Sequence, residues 1–151
     1  IHCFTLIHDD LPCMDNDDFR RGKPTNHKVF GESLALLAGD ALLTMAFEVL
    51  TEASDQVPGP NFVRGLQRLL RCSGPRGVAG GQALEMTLGD HAALDRLEQV
   101  HRAKTGALFE ASILVPADFA GISPESQEGK AIDHFARALG FGFQVADDLE
   151  D

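Results

Sequence analysis

The sequence predicts an all-α protein built as a bundle of antiparallel helices. Apolar residues recur at three- and four-residue steps through long stretches, and clusters of Gly, Pro, Asn and Asp separate those stretches. No segment shows the apolar-polar alternation of a half-buried strand, and no repeat of fixed period is present, so helices packed on helices is the architecture that satisfies the pattern.

Residues 1–10 read as the end of a helix that stops at Leu11-Pro12, because the residue before a proline is pushed out of helical geometry. Residues 11–30 form a charged loop. From Gly31 to about Ser54, the residues Leu34, Leu37, Ala38, Ala41, Leu42, Met45, Ala46, Val49 and Leu50 give a long helix a broad apolar face, which predicts a central, buried position. The prolines and glycine of "DQVPGPN" make a loop. Phe62, Leu66, Leu69 and Leu70 then mark a short helix ending at "CSGPRG", and the paired glycines of "VAGGQALEMTLG" suit close approach of backbones or of a ligand. A helical step runs from Leu94 to about Leu114. Ser123 and Pro124 resemble a cap and first turn of a helix running to about Leu139, and beyond Gly140 the stretch "FGFQVADDLED" is helical again.

Composition bounds the function. A chain of 151 residues with 44% hydrophobic and 24% charged residues fits one ordinary globular domain. Asp and Glu number 23 against 13 Lys and Arg, a formal charge of −10, which argues against a nucleic-acid surface and favours cationic partners. Cys3, Cys13 and Cys72 have no metal-ligand spacing and are odd in number, so a reducing, cytoplasmic setting is expected, with organellar targeting left open. Gly39 with Asp40, and Pro116, interrupt the apolar runs, so no membrane span is expected. Both ends look cut: the chain opens inside a helical pattern and stops at "QVADDLED" without a helix-ending signal, so residues 1–151 are expected to be a single domain truncated at both ends.

The chemistry concentrates in "LIHDDLPCMDNDDFRRGKPT". Asp9, Asp10, Asp15, Asp17 and Asp18 crowd together, and Arg20, Arg21 and Lys23 follow at once. Crowded carboxylates repel unless a cation sits among them. Carboxylate oxygens suit Mg²⁺, which keeps much of its water and bridges one or two carboxylates to substrate phosphates, while arginine forks suit the remaining diphosphate oxygens. A calcium loop of the EF-hand kind fails on Phe19, Arg20 and Asn26, and no phosphate-binding glycine loop is present. A second carboxylate stripe lies near the end, where Gln144, Asp147, Asp148 and Asp151 share a helix face.

"DDLPCMD", "RRGKPT", "LAGDALL", "GGQALE", "HRAKTGALF" and "FQVADDLED" occur in the order of the trans-isoprenyl diphosphate synthases, and the whole chain resembles their short-chain farnesyl and geranylgeranyl members. The resemblance implies an all-α isoprenoid-synthase fold in which two Asp-rich motifs face one another across a central cavity. Asp9, Asp10 and Asp15 match the first motif and Asp147, Asp148 and Asp151 the second, together holding a small cluster of Mg²⁺ (or Mn²⁺). It implies that Arg20 and Lys104 bind an allylic diphosphate and Arg21 the diphosphate of isopentenyl diphosphate. Thr105 and Gln144 match positions near the reacting carbons, and Phe4 and Thr5 the floor that limits product length, Phe4 leaning towards a farnesyl product. Gln82 and Glu85 match a position near the substrate that is usually aspartate where Glu85 stands. A homodimer is implied. The glycine-lysine motif and an arginine of the family would precede Ile1. A terpene cyclase would carry a different second motif and no "RRGKPT"; a regulatory subunit related to the synthases would typically lack one Asp-rich motif.

Overall fold

A computed structural model describes residues 1–88 and 93–150, except for the side chains of Asp147, Asp148 and Glu150. The chain forms two compact units, residues 1–53 and 54–151, taken in turn.

In the first unit, α1 (His2–Asp9) packs on α3 (Glu32–Glu52). The packing is close because Gly39 has no side chain: a Cβ there would collide with the His8 imidazole, whose Nε2–H donates to the Leu36 carbonyl at 3.0 Å. His8 thus packs and hydrogen-bonds, while Asp40 is exposed and lies 3.8 Å from its ring. Between the helices the charged loop holds structure too short for its sequence to show. β1 (Phe19–Arg20) and β2 (Lys23–Pro24) pair antiparallel, Arg20 opposite Lys23, and α2 (Asn26–Phe30) follows. Arg21 and Gly22 connect the strands with φ of 52° and 74°, a turn whose twist matches a two-residue hairpin.

The expectation of a buried α3 is revised. Only Ala35 and Gly39 are buried along it, and Leu34, Leu37, Met45 and Val49 are exposed. By length and composition residues 32–56 are also apolar enough to cross a membrane, so Gly39 and Asp40 interrupt the run less than the sequence reading supposed. Core helices of water-soluble proteins share that property.

In the second unit a short 3₁₀ turn (Ser54–Gln56) leads to α4 (Gly59–Ser73), then α5 (Val78–Glu85) and α6 (Leu94–His101). A π-helical turn (Arg102–Gly106), α7 (Ala107–Phe119) and α8 (Gln127–Glu150) complete it. The core joins α4, α5 and α7 through Cys72, Val78, Ala107, Ala111 and Val115. Small residues on α7 let the helices approach, and Phe119 stacks on Phe62 at 5.8 Å over Gly65. Asp118 is buried between Arg64 and Arg68, accepting from Arg64 Nε at 2.8 Å and Arg68 Nε at 2.5 Å. Burial without that pairing would be prohibitive for a carboxylate.

Three boundaries differ from expectation. The 94–114 stretch is interrupted by the π-helical turn and then continues through Pro116 to Phe119. The last helix begins at Gln127, where Ser126 Oγ accepts from the Gly129 N–H at 2.9 Å, rather than at Pro124. It also passes through Gly140 without a stop. That glycine is a contact: a Cβ there would lie 2.9 Å from the Gly106 Cα.

Candidate active site

The first Asp-rich segment sits at the C-terminal end of α1, where the partial negative charge of the helix compounds that of the carboxylates and calls for a cation. Arg20 supplies one. Its Nε and Nη2 both lie 2.7 Å from Asp10 Oδ1, and Asp10 is 3% exposed. This charge-assisted hydrogen bond, opposed in part by desolvation, raises the basicity of the guanidinium above its ordinary value. The Asp15 N–H donates to the Asp9 carbonyl at 2.9 Å, folding the loop back over the helix end. Asp15 is exposed and Asp9 half-buried. Arg21, at the tip of the hairpin, is exposed in a left-handed conformation that costs a non-glycine residue about 1–2 kcal/mol.

One turn below, Phe4 packs edge-on against the His8 ring with centroids 5.7 Å apart, and Thr5 is buried with its hydroxyl donating to the His2 carbonyl at 2.8 Å. Both lie on the helix that ends in Asp9, as the sequence spacing requires.

In the second unit, the π-helical turn organises the predicted residues. A π turn adds one residue to a helical turn, widens it locally and is frequent at functional sites. Here it carries Lys104 and Thr105. Lys104 Nζ meets Glu85 Oε2 at 2.5 Å, and the Thr105 hydroxyl donates to Gln144 Oε1 at 2.8 Å. Two glycine contacts permit this. Gly81 lies directly against the backbone of Ala103 and Lys104, which brings α5 and Glu85 to the turn, and Gly140 against Gly106 brings Gln144, one turn later on α8, to Thr105. The paired glycines of "VAGGQ" therefore serve backbone approach. Arg102 lies over the Phe141 ring at 5.1 Å, and Phe109 meets Phe143 at 5.0 Å, fixing the rotation of α8.

Asp147 and Asp148 fall on α8, but their side chains, and Asp151 altogether, lie outside the described residues. Among the described residues no three carboxylate, imidazole or thiol groups converge on one point. The donor chemistry nonetheless fits Mg²⁺: Asp9 and Asp15 offer hard oxygens joined by one backbone hydrogen bond, while Asp10 is committed to Arg20.

Sequence reasoning missed two burials. Gln82, which the resemblance placed near the substrate, is buried and among the described residues its Oε1 has no hydrogen-bond partner, an unmet acceptor that costs about 1–3 kcal/mol. Thr25 and His27 are buried within a charged loop most of whose residues are exposed, and no spacing signals them. An open cleft of about 350 Å³ beside Asp118, lined also by Arg68, Leu114, Ile122, Lys130 and Asp133, shares no residue with this site.

Comparisons with known proteins agree with the geometry. The family model described as polyprenyl synthetase matches residues 1–151. The farnesyl diphosphate synthase of Geobacillus stearothermophilus is 48% identical over 153 residues, covering 100% of this chain and 51% of that protein. The chloroplastic geranylgeranyl pyrophosphate synthase of Catharanthus roseus is 47% identical, covering 100% of this chain and 42% of its own length. Among solved structures, an FPP/GFPP synthase from Zymomonas mobilis aligns with a TM-score of 0.90 at 40% identity, over 99% of this chain and 54% of that one. A geranyltransferase from Helicobacter pylori aligns with a TM-score of 0.90 at 38% identity, over 99% and 52%. The chain spans about half the length of the curated relatives it matches. Its helices, its Asp-rich helix end with Arg20 folded onto it and its full-length family match lead to one conclusion: the chain belongs to the polyprenyl synthetase family.

Proposed function

We propose that this chain carries the reaction machinery of a short-chain trans-prenyl diphosphate synthase. It would condense isopentenyl diphosphate with an allylic diphosphate (dimethylallyl, geranyl or farnesyl) to give farnesyl or geranylgeranyl diphosphate. The observation that carries the reading is the Arg20 guanidinium held by two 2.7 Å contacts on the buried Asp10, at the helix end where Asp9 and Asp15 gather. A cation for diphosphate and oxygens for a divalent metal are thereby built into one short segment. The relatives' names, which include both farnesyl and geranylgeranyl synthases, support the substrate class.

Asp9 and Asp15 would hold Mg²⁺, with Asp147, Asp148 and Asp151 as the second ligand set. Mg²⁺ supplies neutralisation of charge on the departing diphosphate. Arg20 and Lys104 bind the allylic diphosphate oxygens and share that electrostatic task, and Arg21 binds the second diphosphate. The allylic C–O bond breaks, the isopentenyl double bond forms the new C–C bond, and loss of a proton restores a double bond. Thr105 and Gln144, joined by their hydrogen bond, present fixed oxygens to the positive charge that develops on carbon. Phe4 closes the floor, which favours the C15 product, with Thr5 beside it. Residues 1–151 belong to one prenyl-synthase domain, and the exposed apolar stripe of α3 suits a homodimer contact in the cytoplasm.

The test is incubation of the longest natural chain carrying this sequence with dimethylallyl diphosphate, labelled isopentenyl diphosphate and Mg²⁺, with and without chelator. A chelator-sensitive C15 alcohol after dephosphorylation is expected. A C20 alcohol would remove Phe4 from its role, and no product from a folded, metal-binding protein would refute the catalytic reading.

A further inference from the structure

The charged loop contains a buried hydrogen-bonded chain that no role described so far uses. The Thr25 hydroxyl lies 2.7 Å from the Asp17 carbonyl oxygen and 3.1 Å from His27 Nδ1. Thr25 and His27 are 2% and 7% exposed, and among the described residues His27 Nε2 is buried without a hydrogen-bond partner. Counting protons settles the directions. A carbonyl oxygen only accepts, so the single hydroxyl proton of Thr25 points to Asp17. The hydroxyl oxygen can then only accept from the imidazole, so Nδ1 carries the proton. The opposite tautomer would fail twice. A bare Nδ1 would claim the hydroxyl proton and leave the Asp17 carbonyl unpaired, and Nε2–H would be a buried donor with no acceptor among the described residues.

This chain anchors the hairpin. The Thr25 N–H donates to the Asp18 carbonyl at 3.1 Å, and Lys28 Nζ meets Asp18 Oδ1 at 2.7 Å. Asp17 and Asp18 are thus tied to the start of α2, and the next two residues are the β1 strand that presents Arg20 to Asp10. We propose that His27 is a positioning residue: with its proton on Nδ1 it directs the Thr25 hydroxyl onto the Asp17 carbonyl and so fixes the hairpin that places Arg20. Its effect on substrate rests on the proposed prenyl-synthase reaction; the tautomer does not.

The experiment therefore has two arms, both on the longest natural chain carrying this sequence. Histidine-selective ¹⁵N NMR, with the His27 signals identified by their loss in H27N, is expected to show Nδ1 protonated and Nε2 bare. That reverses the preference of a free imidazole side chain in water. Observation of the Nε2–H form would overturn the proposal whatever the activity. In the kinetic arm, His27→Asn keeps a donor near the Nδ1 position and His27→Gln does not. H27N is expected within about twofold of wild type in KM for the allylic diphosphate and H27Q raised about tenfold, the scale of one lost hydrogen bond, with kcat changed less. Equal KM in the two variants would overturn the positioning role. If no chain turns over, the proposed reaction fails and the NMR arm still decides the tautomer.

Discussion

Replacing Gly81 by alanine tests the contact that brings α5 to the π-helical turn. A Cβ at this position would lie 2.7 Å from the Ala103 carbonyl carbon and 2.7 Å from Lys104 Cα, and nearer still to the Lys104 nitrogen. Ordinary carbon contacts are about 3.5–4.0 Å, so the shortfall is roughly 1 Å, and all of it falls on backbone that cannot rotate away. Alanine in place of a helical glycine gains about 0.5–1 kcal/mol of chain entropy. Overpacking of this kind costs about 1–3 kcal/mol, and the collision should win by roughly 0.5–2 kcal/mol. With a urea slope near 2 kcal/mol/M, the unfolding midpoint should fall by about 0.3–1 M. Gly142 is the control, since among the described residues nothing beyond its chain neighbours and its own helix backbone lies within 4 Å of the position its Cβ would take, and G142A should gain about 0.5–1 kcal/mol. The assay is urea unfolding followed by far-ultraviolet circular dichroism. A G81A protein as stable as G142A would refute the close approach of α5 to the turn, and with it the account of how Glu85 reaches Lys104.

Removing the Asp118 carboxylate in D118A should cost about 2–3 kcal/mol in the same assay, below the 3–5 typical of a broken buried pair because Arg64 and Arg68 keep access to water. Burial, reinforced by Glu110, pushes the Cys72 thiol above its ordinary pKa, so the folded protein retains that proton after the unfolded chain has lost it. Stability should therefore fall as pH rises past the ordinary thiol range, and C72A should flatten this part of a pH–stability curve. Of the three thiols, Cys72 should react slowest with an alkylating agent, as peptide mapping by mass spectrometry would show. T105V deletes the hydrogen bond to Gln144 and T105S keeps it, so kcat of the active chain should drop about tenfold in the first and little in the second. Equal losses in the two would discard the role of that oxygen pair.

Much of the fold was legible because amphipathic helices write their period into the chain: α1, α3 and α4 stand where apolar steps put them, and α6 and α7 share the stretch that reads as one helix. What escaped had physical reasons. The strands at Phe19–Arg20 and Lys23–Pro24 are two residues each, too short for alternation to register. Gly140 looked like a helix stop, yet the same missing side chain also admits a neighbouring backbone, and only the packing with Gly106 tells the two apart. The breadth of the apolar face on α3 announced burial without saying by what, and the described residues leave Leu34, Leu37 and Met45 exposed. At the site, the crowding of Asp9, Asp10 and Asp15 beside Arg20 was visible as charge. The pairings Lys104 with Glu85 and Thr25 with His27 were not, since they depend on side-chain directions.

The π-helical turn at Arg102–Gly106 has a consequence for how this region tolerates change in chain length. An α-helix advances about 100° per residue and the π turn absorbs one residue more than an α turn does, so deleting one residue here would let the turn relax to regular geometry while leaving α6 and α7 close to their present alignment. Backbone hydrogen bonding would improve. The faces of α6 and α7 would keep the groups they now meet, but the residues inside the turn would shift, and Lys104 or Thr105 would point elsewhere. Single-residue deletions across 102–106 should therefore sort apart the demands of helix regularity and of the site, giving chains that stay helical with the Lys104–Glu85 and Thr105–Gln144 pairs broken. An irregularity of this kind is a register mark: the helix gives up ideal geometry at one turn so that the residues inside it keep their aim.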